Sequence, residues 1–336
     1  MYKDKYSVKS MRFGWGEGLV ELGKKYPNVV ALGADITDSV KTSMFQDAFP
    51  DRYFSIGIAE QNMACIAAGL ALAGKIPYFS TYGVFVSGRA WDQIRTTICY
   101  SNLNVKIGGA HGGISVGPDG ATHQSLEEIA IMRTIPNMQV VVPCDAIEMK
   151  KAVVASAEFH GPAYIRFGRE PVPVITDENT PFVWGKGRVV REGKDATIFA
   201  CGVMVCEALE AADALKTKGV SVRVVNLHTV KPIDMELIVK CAVETGAVVT
   251  AEEHQVFGGF GSAVAEVVAH HAPVPMEFVG IMDRFGDSGD PETLMKEFHV
   301  TDAEIFEAVG RVVERKSKRG ISALPARHVI GFHPDK

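Results

Sequence analysis

Short β-type runs alternate with helix-capable segments twice along the chain, and this pattern limits the fold more than any other feature. Between Val29 and Gly168 the runs VVALGAD, IPYFST, VKIGGA, MQVVVP and AYIRFG are separated by segments such as AEQNMACIAAGLALAG and DAIEMKKAVVASAEF. That order suits a parallel sheet covered on both faces by helices. A second alternation follows, with ATIFACG, VSVRVVNLHTV, AVVTAEEH and PMEFVGIM as strands around VCEALEAADALKTKG, DMELIVKCAVETG and GGFGSAVAEVVAHHA as helices. The expected fold is α/β, with two three-layer α/β/α domains, the second smaller than the first. A chain of 336 residues accommodates both, since domains of roughly 100 to 200 residues are the common size.

From Arg169 to Lys194 the chain carries Pro171, Pro173, Pro181 and several glycines without helical periodicity, which reads as a strand exit and a connector. The expected division is a first domain over 1–180, a linker over 181–194, a second domain over 195–316 and a tail over 317–336. The tail, with Pro325 and Pro334, reads as extended over the surface or a neighbouring subunit. Thr301-Asp302-Ala303-Glu304 has the capping-box pattern, so the last helix should start there. Arg311, Arg315, Lys316, Lys318 and Arg319 near its end read as a solvated terminus favourable to the helix dipole.

A net charge of -5 gives no electrostatic footprint for nucleic acid. No apolar run approaches the roughly 18 residues needed to span a bilayer, and the first residues lack a signal-peptide core, so the expected location is cytoplasmic. The six cysteines, Cys65, Cys99, Cys144, Cys201, Cys206 and Cys241, form no CxxC pair and read as small core residues.

Two places carry candidate chemistry. In FSIGIAEQNMACIAAGLALAG, Glu60 heads an otherwise small and apolar helix. Desolvation raises a carboxyl pKa and suits it to share a proton with a weak base, although a helix N-terminus pulls the other way. By itself Glu60 fits a capping residue as well as a catalytic one. In AHGGISVGPDGATHQ, His111, Asp119 and His123 lie on a glycine-rich loop that permits tight turns and close backbone approach. Their spacing matches no common zinc pattern, so proton transfer and hydroxyl recognition are the better reading, with a plain surface loop as the alternative.

GIAEQNM, FSTYGVFVSGRAWDQIR, AHGGISVGPDGATHQ, IRFGRE and TAEEHQVFGGFG occur in this order, and together they resemble the successive signatures of transketolases. The resemblance runs from about Arg12 to Val313. It implies a thiamine diphosphate site shared between two chains, with Glu60 hydrogen-bonding N1′ of the aminopyrimidine and Tyr82 and Phe85 forming the pyrimidine pocket. Many family members have Phe where this chain has Tyr82, and the added hydroxyl needs a partner. Arg12, Ser39, His111 and Arg169 match positions that hold a sugar phosphate, a role suited to guanidinium forks and neutral donors. Asp119 would accept a hydrogen bond from a sugar hydroxyl, His123 would assist with protons or hydroxyl orientation, and Asp35 resembles a residue near the cofactor and the chain interface.

The family's other half holds the diphosphate and a divalent cation through a GDG motif followed by Asn. GPDG at 117–120 and FGDSGD at 285–290 lack that context. The resemblance therefore implies a split enzyme. This chain would pair with an N-terminal-type transketolase subunit that binds Mg2+ or Ca2+, two copies of each in an α2β2 assembly, and no metal would be held here. The expected activity is transfer of a two-carbon ketol unit from a ketose phosphate to an aldose phosphate. Three alternatives stand beside it. A 1-deoxyxylulose-5-phosphate synthase-like enzyme commonly lacks a histidine at the position of His111. The beta subunit of a 2-oxo acid dehydrogenase has no need of paired phosphate-binding arginines such as Arg12 and Arg169. A noncatalytic regulatory subunit would have no reason to retain the whole polar set.

Overall fold

The central strands of the first domain are mostly apolar, and the computed structural model, which describes residues 3–318, buries them accordingly. Every residue of Val29–Gly33 and of Lys106–Ala110 is buried, as expected of parallel strands covered on both faces. Six parallel strands run in the spatial order Gln139–Val141, Ala163–Arg166, Lys106–Ala110, Ile76–Tyr82, Val29–Gly33, Tyr53–Ser55. A seventh, Thr229–Lys231, pairs antiparallel with Gln139–Val141 at the edge.

The helix Met11–Lys25 is packed close to the helix Ala146–Ser156 by its glycines. A Cβ on Gly14 would fall 2.1 Å from the Ala146 carbonyl oxygen, and one on Gly18 would meet the Val153 side chain at 2.8 Å. Glycine weakens a helix interior, so its presence in GWGEG reflects the close crossing with the helix Ala146–Ser156. Trp15 fills the space beside these glycines, fully buried and stacked on Phe167 with ring centroids 5.5 Å apart.

The second sheet has the order Met276–Ile281, Val248–Gln255, Ala196–Ala200, Val222–Asn226, Arg188–Arg191, all parallel except the last. Two expectations are corrected here. Arg188–Arg191, assigned to the 181–194 linker, is an edge strand of the second sheet, because Val189 and Val190 pack against the apolar clusters on its two faces. The run VSVRVVNLHTV is not one strand of the second domain. It leaves the second sheet after Asn226 and supplies Thr229–Lys231 to the first, so the two domains share a strand pairing.

The last helix is Asp302–Lys318. The Thr301 amide and hydroxyl both reach Glu304 Oε2, at 3.2 and 2.5 Å, and Thr301 Oγ1 accepts from the Ala303 amide, which makes the capping box. Its basic end is not simply solvated. Arg311 and Arg315 pair with Glu277, and Lys316 Nζ donates to the carbonyls of Asp195 and Thr245, so these side chains strap the helix to its sheet. Of the expected tail, Ser317 and Lys318 are helical, while Arg319 and the remainder to 336 lie outside the described residues. Five of the six cysteines are buried and Cys65 is exposed. Among the described residues no helix is long and apolar enough to cross a membrane.

Candidate active site

The expected site residues other than Arg12 emerge from the carboxyl ends of five consecutive strands of the first sheet. Ala163–Arg166 leads to Arg169, Lys106–Ala110 to His111, Ile76–Tyr82 ends on Tyr82, Val29–Gly33 leads to Asp35 and Ser39, and Tyr53–Ser55 leads to Glu60. The crevice beyond these strand ends is where open α/β sheets bind ligands.

Arg12 and Arg169 are brought together by a small antiparallel ribbon that pairs Val8–Ser10 with Pro171–Pro173. Ser10 lies between them, its Oγ donating to the Arg169 carbonyl at 2.9 Å and accepting from Arg12 Nε at 3.1 Å. Arg12 Nη1 donates to the Ser39 carbonyl at 2.9 Å, and Arg169 Nη1 donates to the Val116 carbonyl at 3.1 Å and Asp119 Oδ1 at 3.0 Å. Burial, and next the nearby Arg169 charge, lower the pKa of Arg12. Two neighbouring guanidinium groups attract an anion, and their fork geometry suits phosphate.

His111 follows its strand directly, in the left-handed region at φ 56°, and is 1% exposed. Its ring centroid lies 4.0 Å from that of Tyr82, and its Nδ1 is buried without a protein partner. Burial first, then the charges of Arg12, Arg169 and His123, push its pKa down to about 3. The ring is therefore neutral at ordinary pH and offers a hydrogen bond rather than a charge. His123 presents its edge to Phe85 and Tyr82, with centroids 5.3 and 5.8 Å away, and its Nδ1 lies 2.8 Å from Thr122 Oγ1. The hydroxyl of Tyr82 finds its partner in Ser39 Oγ at 3.3 Å.

Glu60 is the first residue of the helix Glu60–Leu72 and is 4% exposed. Both its carboxylate oxygens face Arg89 Nη1, at 3.2 and 3.4 Å, and the Arg89 guanidinium lies 4.0 Å over the Phe85 ring. Sequence reasoning missed Arg89, having taken FSTYGVFVSGRAWDQIR for its aromatics alone. The available signal was spacing, because Arg89 stands four residues after Phe85 on the helix Gly83–Arg89 and so shares its face.

A single run of contacts thus joins Glu60, Arg89, Phe85, His123, Tyr82 and His111, then passes through Ser39 to Arg12, Ser10, Arg169 and Asp119. Asp35 is not drawn into it. It is exposed at φ 62° and makes no side-chain hydrogen bond or ion pair among the described residues.

Two α/β domains whose strand-end crevice holds a buried carboxylate, an aromatic wall and a paired-arginine cluster define the class of α/β enzyme subunits. Residues 8–174 match the transketolase pyrimidine binding domain, and residues 185–305 match the transketolase C-terminal domain. The chain is 46% identical to a Methanocaldococcus jannaschii protein named "Putative transketolase C-terminal section", over 92% of this chain and 97% of that one. It is 43% identical to a 6-deoxy-6-sulfo-D-fructose transketolase subunit of a Clostridium species, over 90% of this chain and 94% of the relative. A solved structure described as a split gene transketolase, inactive beta4 tetramer, superposes with a TM-score of 0.86 at 48% identity, covering 91% of this chain and 99% of that one. The chain belongs to the transketolase family and corresponds to its pyrimidine-binding and C-terminal domains.

Proposed function

We propose that this chain is one subunit of a two-chain transketolase that moves a two-carbon ketol unit from a ketose phosphate to an aldose phosphate. The observation that carries this reading is the continuous run of contacts from the buried carboxylate of Glu60 to the guanidinium groups of Arg12 and Arg169. It sets a proton-sharing group at one end of a crevice and an anion site at the other.

The residues fit the aminopyrimidine half of thiamine diphosphate. Glu60 is buried at a helix start with its oxygens facing Arg89, whose guanidinium lies over the Phe85 ring, with Tyr82 beyond it. When bound, the cofactor supplies the electron sink needed to break a carbon–carbon bond next to a carbonyl. Glu60 would hold the proton at N1′, with Arg89 giving way at the carboxylate oxygens it now faces. Phe85 and Tyr82 would wall the ring and exclude water. Arg12, Ser39, His111 and Arg169 would hold the substrate phosphate, the neutral imidazole of His111 contributing a hydrogen bond from Nδ1. Asp119 would accept from a sugar hydroxyl on the oxygen not engaged by Arg169, and His123 would orient the reacting hydroxyl.

The diphosphate and its Mg2+ or Ca2+ would be held by an N-terminal-type partner subunit, in an assembly of two copies of each chain. Among the described residues no cluster of three or more His, Cys, Asp or Glu side chains could hold a metal ion. The inactivity of the β tetramer of the similar split transketolase supports this division of labour.

A sulfonated ketose, named for the Clostridium relative, carries an anion at the same end of the sugar as a phosphate and belongs in the same assay. Mixed with its N-terminal-type partner, thiamine diphosphate and Mg2+, the chain should transfer a two-carbon unit from a ketose phosphate to ribose 5-phosphate. Transfer from 6-deoxy-6-sulfofructose alone would change the substrate class. A formed complex that transfers from no anionic ketose would contradict the reading.

A further inference from the structure

The C-terminal domain has no part in the chemistry described so far, yet the end of its long strand Val248–Gln255 lies directly against the glycine-rich loop. Glu253 is 2% exposed, and its Oε1 accepts from the Ser115 amide at 2.6 Å. Gly113, at φ 100°, lies flat on that carboxyl group, and a Cβ there would fall 2.2 Å from Glu253 Cδ. The Glu253 carbonyl accepts from Arg166 Nη2 at 2.7 Å, while Arg166 Nε donates to Glu128 Oε1 at 2.8 Å. Arg166 in turn supports Gly112, where a Cβ would meet its Nε at 2.3 Å.

The far side of the loop is held in the same way. Gln124 Nε2 donates to the carbonyls of Ile114 and Gly117 within the loop, at 3.2 and 3.3 Å, and to that of Asp287 in the C-terminal domain at 2.8 Å. Cβ atoms on Gly117 and Gly120 would meet Pro291 Cγ at 2.8 Å and Ser288 Oγ at 2.3 Å. The loop that presents His111, Asp119 and His123 therefore has the C-terminal domain as its floor, and its glycines are the points of closest approach.

We infer that the C-terminal domain sets the position of this loop through Glu253, and that Glu253 is a positioning residue for the reaction. Joining two domains needs only apolar contact. A fully buried carboxylate, with no hydrogen bond to Oε2 and only a long ion pair from it to Arg166 Nη1 at 4.0 Å, is costly to bury and fixes geometry better than it adds stability. Its one short hydrogen bond goes to the loop backbone four residues beyond His111 and four before Asp119. The inference deepens the proposed function and rests on it for the kinetic consequence alone.

The test uses hydrogen exchange on the full-length chain and kinetics on the complex with its partner subunit. Glu253→Ala removes the acceptor of the Ser115 amide, and loss of a hydrogen bond to a charged group corresponds to about a 10- to 100-fold change. Amides across 112–124 should exchange faster by about that factor, with the Glu60–Leu72 helix unchanged. In the complex, kcat/KM for the ketose phosphate should fall by a similar factor at unchanged half-saturation by thiamine diphosphate. Glu253→Gln keeps an acceptor for Ser115 and should restore most of the loop protection. Should Glu253→Ala not fold, Gln124→Ala reads the same clamp from its other side and should loosen the same amides. Wild-type exchange across 112–124 in the folded Ala variant, or in Gln124→Ala when only that variant folds, would overturn the inference. Failure of the wild-type complex to turn over any sugar would overturn the proposed function and leave the exchange result to decide the positioning claim.

Discussion

Replacing His111 by Asn should flatten the pH dependence of the chain's stability between pH 7 and pH 5. In the folded chain burial, then Arg12, Arg169 and His123, hold the His111 pKa at about 3, whereas an unfolded histidine titrates near ~6.5. As pH falls through about 6.5 the unfolded state takes up a proton at this residue, and the folded state does not until about 3. The unfolded state thus binds more protons across that window, so stability is lost on acidification and recovered as pH rises. With ~1.36 kcal/mol per pH unit for one proton, the loss from pH 7 to pH 5 is about 2 kcal/mol. Asn tolerates the left-handed backbone at this position, keeps a polar side chain and does not titrate. Urea unfolding of wild type and variant at both pH values isolates the difference, since the other titrating groups are common to both. The fall between pH 7 and pH 5 should be about 2 kcal/mol smaller in the variant. Equal falls would show that His111 titrates normally when folded, and the neutral-ligand role would be wrong.

Other substitutions separate the two ends of the crevice. Arg169→Ala should raise KM for a ketose phosphate by at least about 10-fold, as loss of a charge-assisted contact, while changing KM for the unphosphorylated sugar much less; equal effects on both would mean that Arg169 does not read the anion. Tyr82→Phe removes the hydrogen bond to Ser39, a contact of about 0.5–1.5 kcal/mol, and should raise the same KM by less than about 10-fold without altering the cofactor requirement. Arg89→Ala removes a half-exposed competitor for the Glu60 oxygens, and such pairs contribute about 0–1 kcal/mol. It should leave half-saturation by thiamine diphosphate unchanged or lower it up to about 5-fold, and a higher cofactor requirement would show that Arg89 assists rather than competes.

Much of this was legible in the sequence because it is written in local pattern. The alternation of strands and helices, the capping box at Thr301 and the polar residues at strand ends are all encoded within a few positions of one another. The pairings made across long separations were not. Ser10 and Arg169 meet through a ribbon whose two strands are only three residues each, too short to show any periodicity. Thr229–Lys231 follows Val222–Asn226 after only two residues, with no Gly or Pro between, so nothing local marks its transfer to the other sheet. Glu252-Glu253-His254 looks structural or interfacial in the sequence, but the partners that make the burial of Glu253 and His254 tolerable, Ser115, Arg166 and the amides of Ile129 and Ala130, lie far away in the chain. The edge strand Arg188–Arg191 was hidden by the prolines and glycines just before it, which resemble a linker more strongly than four residues resemble a strand.

The central claim is that Glu60 activates a cofactor held largely by another chain. Its most direct measurement is the exchange rate of the C2 proton of thiamine diphosphate bound to the assembled complex, which needs no sugar substrate. Glu60→Gln removes the shared proton while keeping the shape of the side chain, and should slow that exchange by on the order of 10²-fold or more with the complex intact. Exchange at the wild-type rate in an intact Glu60→Gln complex would contradict the account.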